Sequence, residues 1–224
     1  MSAADGGSSL DARGRVESLC RDCVDDAGVD GCGVSVLSRT GTPVALYATD
    51  RVASVIEELQ FTLGEGPCMD AAASGVPVLI SDLRDPSEGV AGRWPAFLDE
   101  ASRVGVRAVF AFPVRIGAIS LGVMDLYRAE PGQLSGDQLS RTFRTVDSVG
   151  HHMLDWERVP ADQPDESYPL TVHQAAGIAM VQLDTSIEDA LVRLRATAYR
   201  AGRPVHELAA DVVAGRFTFE KEQS

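Results

Sequence analysis

The sequence predicts an α+β domain, an antiparallel sheet flanked by helices, followed by a small all-α domain of three helices. Three observations carry this. Apolar runs with strand character pair off as hairpins at residues 31–49 and 106–128. Segments of helical periodicity lie before, between and after them. Beyond residue 170 no strand pattern recurs, and residues 172–219 divide into three short helices with stop signals between them.

Residues 1–9 are rich in Gly and Ser and are expected to be disordered. Residues 10–28 form an amphipathic helix whose apolar stripe is Val16, Leu19, Cys20, Cys23, Val24 and Ala27. Gly31 to Ser38 and Pro43 to Thr49 read as a hairpin around Arg39–Thr42, and residues 50–60 as a helix with Val52, Ile56 and Leu59 on one face. Phe61 to Asp70 (FTLGEGPCMD) is an irregular loop feeding a helix that Pro67 opens, where backbone polar groups can face a pocket. Val76 to Ser81 is a strand, residues 82–92 a loop rich in Asp, Pro and Gly, and Trp94, Phe97, Leu98, Ala101 and Val104 a helical face.

Val106 to Val114 and Ala118 to Arg128 are apolar on both alternating faces, so they are central strands covered on both sides, one by helices and the other by more helices or a small pocket. Ser135 to Trp156 is a long helix. Leu139, Val146 and Met153, and likewise Thr142, Val149 and Trp156, recur at heptad spacing. Such a seam packs on its own sheet or pairs two copies of the chain, and both readings stay open. Pro160, Pro164 and Pro169, among acidic residues, mark a linker over 158–170.

In the last segment, small apolar residues (Ala175, Ala176, Ile178, Ala179, Val181) form the first helix, and Asp184 ends it. Thr185 with Glu188 reads as a capping box for the second helix, which buries Ile187, Ala190, Leu191, Leu194 and Ala198. Gly202 stops that helix. Pro204 suits the first turn of the third, which presents Val205, Leu208, Ala209, Val212 and Val213 until Gly215. Helices this short do not persist alone in water, so the three must pack on one another.

The chain has 224 residues, room for two ordinary domains, and a formal charge of −13. Residues 171–224 hold six basic and seven acidic side chains, so nearly all the negative charge lies upstream. An acidic chain does not bind nucleic acid through bulk charge; any such contact needs a local arginine cluster. No apolar segment has the form of a signal peptide or the length of a membrane span, which points to a cytoplasmic protein with no membrane partner. Cys20 and Cys23 form a C-x-x-C that reads as two small core residues, with redox sensing the alternative. No nucleophile elbow, zinc-protease or nucleotide-binding motif occurs, and no cofactor is expected. Asp125 stands inside a strand without acidic neighbours in sequence.

Residues 172–219 resemble the ANTAR domain, a bacterial RNA-binding module of transcription antiterminators. The resemblance rests on Gln174-Ala175-x-Gly177, on Ala190 with Leu194-Arg195-x-x-Ala198, and on Leu208-Ala209. Many family members carry Lys where this chain has Ala176. The upstream region resembles the GAF fold, an antiparallel sheet that senses small molecules or redox state. Here the matching pieces are Leu63-Gly64-Glu65-Gly66-Pro67-Cys68, the strand ending at Asp82, and the hairpin from Ala111-Phe112-Pro113-Val114 to Leu121-Gly122-Val123. The implied domains are 10–157 and 171–219, in an order known for bacterial regulators.

The resemblances imply two sites. A ligand pocket in the first domain would involve Glu65, Cys68, Asp82, Phe110 and Phe112. RNA contact in the second would involve His173, Gln174, Ala175, Gly177, Arg193, Arg195, Arg200 and Arg203. Arg193 and Arg200 are seven residues apart on one side of their helix, and arginine both binds phosphate and stacks on unpaired bases. Without the resemblance these arginines read as solvated surface charges. The function expected is a signal-responsive regulator that binds tandem stem-loops in a nascent transcript, works as a homodimer and does not bind DNA. The alternative is a ligand- or partner-binding module whose last helices serve assembly. A third reading, a thiol-dependent redox enzyme built on Cys68, resembles the free methionine-R-sulfoxide reductases, from whose loop pattern Pro67 and Met69 depart. The signal expected for the first domain is a small molecule or a change of redox state.

Overall fold

The computed structural model describes residues 6–38, 41–157 and 168–220. The chain divides into two compact units, one of Met1–Phe61 and Glu65–Ala161, the other of Asp162–Ser224 with the short segment Thr62–Gly64. Of the disorder expected over residues 1–9 and the linker expected over 158–170, residues 1–5 and 158–167 lie outside the described residues, while 6–9 and 168–170 are helical and correct those two expectations.

The first unit opens with helix α1 (Gly6–Ala27), which starts four residues earlier than its apolar stripe suggests. Strands β1 (Gly31–Leu37) and β2 (Pro43–Ala48) follow as a hairpin. Helix α2 (Arg51–Leu63) starts where Asp50 accepts hydrogen bonds from Val52 N (2.7 Å) and Ala53 N (3.0 Å), a side chain satisfying amides that the helix leaves open. The same carboxylate accepts from the Tyr127 hydroxyl at 2.9 Å, which ties the helix start to the sheet. Next come α3 (Pro67–Ser74), β3 (Val78–Ile80), a 3-10 turn (Pro86–Glu88), α4 (Val90–Arg93) and α5 (Pro95–Arg103). The hairpin β4 (Ala108–Ile116) and β5 (Ile119–Arg128) and the long helix α6 (Gly136–Glu157) complete the unit.

The five strands lie in the order β2-β1-β5-β4-β3, every pair antiparallel. β5 is therefore central, as its two apolar faces require. One face packs under α1 and α6: Val16, Cys20 and Cys23 meet Phe110, Phe112, Met124 and Leu126, with Val146, Val149 and Met153 beside them. Of the heptad positions, Thr142, Val146, Val149 and Met153 are buried within the unit, where Val146, Val149 and Met153 pack on its own sheet. Both cysteines of the C-x-x-C are core residues. α3 covers the other face, where Cys68 and Ala71 meet Ala111 and Val123.

The second unit contains α7 (Tyr168–Leu183), α8 (Ile187–Arg200) and α9 (Val205–Val213). Asp184, with φ +57°, ends α7 in the left-handed conformation. The cap of α8 falls one residue later than the Thr185–Glu188 pattern suggests: Ser186 Oγ accepts from Asp189 N at 3.0 Å and donates to the Asp189 carboxylate at 2.9 Å. Val172, Ala175, Ala176, Ala179, Ala190, Leu194, Ala198, Val205, Leu208, Ala209 and Val212 are buried. Val181 and Val213, expected on buried faces, are exposed, because each lies beyond the arc its partner helices cover. Phe219 N donates to Gln182 Oε1 at 2.9 Å, so the tail returns to α7.

Candidate functional site

The sheet face under α2 and α3 is where polar chemistry collects. Asp125 on β5 stands opposite Gly33 of β1 and Ala111 of β4. Two small residues flanking an acid leave room above it. Glu57 fills that room: a Cβ on Gly33 would lie 2.5 Å from Glu57 Oε1 and 2.8 Å from its Cδ, so only glycine lets the glutamate lie across β1. Cys68, second residue of α3, arrives from the other side. Its amide donates to Gln60 Oε1 at 2.7 Å, and its sulfur is 3.5 Å from Ser35 Oγ. Gly66, at φ +132°, allows Gln60 to come this close, because a Cβ there would lie 2.7 Å from Gln60 Oε1.

One ligand atom from each of Glu57, Cys68 and Asp125 falls within 4.8 Å of the others, and all three residues are buried. Desolvation pushes the Asp125 carboxyl up to about 6. Glu57 is raised well above the ordinary range by burial and by the neighbouring Asp125. The Cys68 thiol is raised in the same way, by burial and by the two acids. A position in the first turn of a helix ordinarily favours thiolate, but here desolvation wins and the thiol keeps its proton. This is the opposite of an activated nucleophile.

The five pocket residues expected from sequence do not meet. Cys68 belongs to the polar cluster. Phe110 and Phe112 point to the opposite sheet face, into the core under α1 and α6, because alternate β4 residues face opposite ways. Glu65 braces α5 by accepting from Phe97 N at 2.8 Å. Asp82 forms a bidentate pair with Arg107 (2.8 and 3.0 Å), which holds its carboxyl below the usual range. A groove of about 680 Å³ lies elsewhere, beside edge strand β3, lined by Asp70, Ser74, Pro77, Leu79, Glu88 and Arg93. Sequence reasoning missed Glu57, Gln60, Ser35 and Asp125. The available signal was Asp125 itself, an acid inside the apolar run LGVMDLY.

In the second unit, Arg193 and Arg200 are exposed on α8. They share the outer arc with Val192 and Tyr199, at 59% and 47% exposure, neither of which the sequence had singled out. Arg195 is half-buried at the other edge of the helix. Arg203 is engaged: its guanidinium pairs with Asp211 at 2.8 Å and with Glu207 at 3.6 Å, and Arg216 pairs with the same Asp211 at 2.8 Å. On α7, Gln174 is exposed and Gly177 half-exposed, whereas Ala175 is fully buried against the other helices and presents no side chain to a ligand. The side chain of His173 lies outside the described residues.

Comparison with known proteins agrees with this division. A family model described as GAF domain matches residues 9–146, and one described as ANTAR domain matches residues 170–213. No curated protein matches the chain. Among solved structures, the GAF domain region of a protein from Geobacter sulfurreducens PCA aligns at TM-score 0.56 and 12% identity, covering 68% of this chain and 99% of that one. The type II free methionine-R-sulfoxide reductase from Thermoplasma acidophilum aligns at TM-score 0.51 and 16% identity, covering 66% and 96%. The TePixJ GAF domain, a cyanobacteriochrome, aligns at TM-score 0.51 and 15% identity, covering 66% and 91%. At these identities the similarity is one of fold.

Proposed function

Because this chain belongs to the GAF domain family and carries a C-terminal ANTAR domain behind that sensor, we propose that it is a signal-responsive regulator whose last three helices bind structured RNA in transcription antitermination. Both domains are regulatory rather than catalytic. The observation that carries the reading is the outer arc of α8, where Arg193 and Arg200 stand beside exposed Tyr199. Guanidinium groups bind phosphate through paired donors, and a tyrosine ring stacks on an unpaired base, so this arc suits a hairpin loop with splayed bases. Gln174, exposed in the second turn of α7, would supply a further polar contact. Arg203 plays a smaller part, because Asp211 and Glu207 already occupy its donors.

The RNA target would be a tandem stem-loop in a nascent transcript. Binding stabilises one RNA fold over a competing terminator, and the signal shifts the protein toward the competent state. A pair of copies presents two modules to the two hairpins, which raises effective concentration. Among the described residues no helix is long and apolar enough to cross a membrane.

The test is binding of the full chain to a tandem stem-loop against a single hairpin across a salt series. Preference for the tandem RNA, with affinity falling as salt rises, is expected. Arg193→Ala/Arg200→Ala should lower affinity at least about tenfold and flatten the salt slope by about two. Absence of any salt-dependent binding by folded protein overturns the reading. A second reading draws on the apolar part of the same arc: Val192 and Tyr199 would then pair copies of the chain, and Tyr199→Ser would change oligomeric mass while RNA affinity is absent throughout.

A further inference from the structure

The cluster beneath α2 and α3 has a composition that a proton network alone does not complete. Neither oxygen of Asp125, nor Gln60 Nε2, has a hydrogen-bond partner of good geometry, although Glu57, Cys68 and Gln60 all lie close enough to that carboxyl to interact with it. Asp125 is 3% exposed and Gln60 1%. Buried polar atoms are normally satisfied, so these orphans point to something that binds between them. What binds must be small and positive, since two carboxyls and a thiol face one another there within 4.8 Å.

We propose that Glu57, Cys68 and Asp125 form a binding site for one divalent transition-metal cation of the kind that accepts thiolate, with zinc as its probe. The donor set fits: one thiol and two carboxyls, each from a different element, converge within 4.8 Å. Zinc bonds of roughly 2.0–2.3 Å place tetrahedral ligand atoms about 3.3–3.7 Å apart, so small rotamer changes close the site. The surroundings are arranged to hold the ligands. Gln60 Oε1 fixes the Cys68 amide, and Ser35 Oγ touches the Cys68 sulfur. Gly33 keeps clear the space in which Glu57 lies. Three protein ligands leave the fourth position of a tetrahedral ion for water or an incoming molecule. Binding displaces the Cys68 thiol proton and the carboxyl protons to solvent, with no change of oxidation state. The bound ion would fasten α2 and α3 to the central strand β5.

The proposal is tested on the full chain, expressed with zinc in the medium and desalted. About one zinc per chain is expected by elemental analysis. Replacement by cobalt should give a thiolate-to-cobalt absorption band in the near ultraviolet. Cys68→Ser should abolish that band, and Asp125→Asn, which keeps shape and removes charge, should lower affinity at least about tenfold. Cys20→Ser/Cys23→Ser should leave metal content and the band unchanged. Circular dichroism establishes which variants are folded; should Cys68→Ser unfold, Asp125→Asn carries the comparison. Less than about a tenth of an ion per folded wild-type chain overturns the site, as does a cobalt band that survives in folded Cys68→Ser or affinity unmoved by Asp125→Asn.

Discussion

The first unit buries Asp125 on its central strand, among Glu57, Cys68 and Gln60, whereas the second holds Asp211 at its surface between Arg203 and Arg216. The two aspartates move in opposite directions from the ordinary carboxyl. Desolvation raises Asp125 to about 6. Hydrogen bonds from Arg203 and Arg216 lower Asp211. An acid without a cation nearby prefers its proton when buried, while one clamped by two guanidinium groups prefers its charge. The difference separates an acid desolvated inside a sheet domain from one held in ion pairs at the surface of a helical domain.

The sharpest way to break that contrast is to remove core volume from each unit. Leu194→Ala in the second unit and Leu126→Ala in the first both empty fully buried sites, at about 3 kcal/mol each. A segment as short as residues 168–220 buries too little surface to absorb this. Leu194→Ala should therefore unfold the helical unit at ambient temperature, while Leu126→Ala leaves the sheet folded with a lower melting temperature. Two-transition thermal melts followed by circular dichroism would check it, and equal survival of both variants would break the contrast.

Gly33→Ala comes next. Its methyl group would meet the Glu57 carboxyl at 2.5 Å, so Glu57 must shift, at a cost of about 2 kcal/mol confined to the first transition. A neutral result in denaturant titration would show that Glu57 has other room.

The pH dependence of metal-stripped protein sharpens the comparison further. Asp125 has a raised folded value, so its stabilising contribution is complete below the unfolded value near 4 and is lost as pH rises through about 6. The first transition should weaken by roughly 2 kcal/mol over that span, and Asp125→Asn should remove most of the change. Asp211 works the other way. Its contribution is present above about 4 and disappears as pH falls through its lowered folded value. The two melting transitions should therefore tilt oppositely between pH 3 and pH 6 in scanning calorimetry.

The smallest expected effect belongs to Arg216→Ala. Arg216 is an exposed partner of Asp211, and such pairs contribute about 0–1 kcal/mol, so the second transition should move by no more than a few degrees and only at low salt. A larger loss would mean that the ion pairs, not the apolar faces, hold α9 in place.

Most elements were legible because their signals are local. Hairpins, the long helix and the three short helices announce themselves through alternation, helical spacing and residues such as Pro67, Asp184 and Gly202. The arc proposed to contact RNA was partly legible, since Arg193 and Arg200 lie seven apart on one helix; Tyr199 falls on the same arc but carries no charge pattern to mark it. The polar cluster was not legible. Glu57 and Asp125 are 68 positions apart in sequence, and their meeting depends on strand order and on the empty side-chain position at Gly33.

By itself, then, the sequence determined the element order, the succession of a sheet domain and a three-helix domain, and most of the apolar faces, because short-range periodicity and turn chemistry encode them. Only the tertiary structure decided which side of β4 faces which helix, which set Phe110 and Phe112 apart from Cys68. It also decided that Val146, Val149 and Met153 of α6 pack on their own sheet, and that Asp125 has acidic company. Those outcomes depend on register and strand pairing between distant segments, which a linear pattern does not carry.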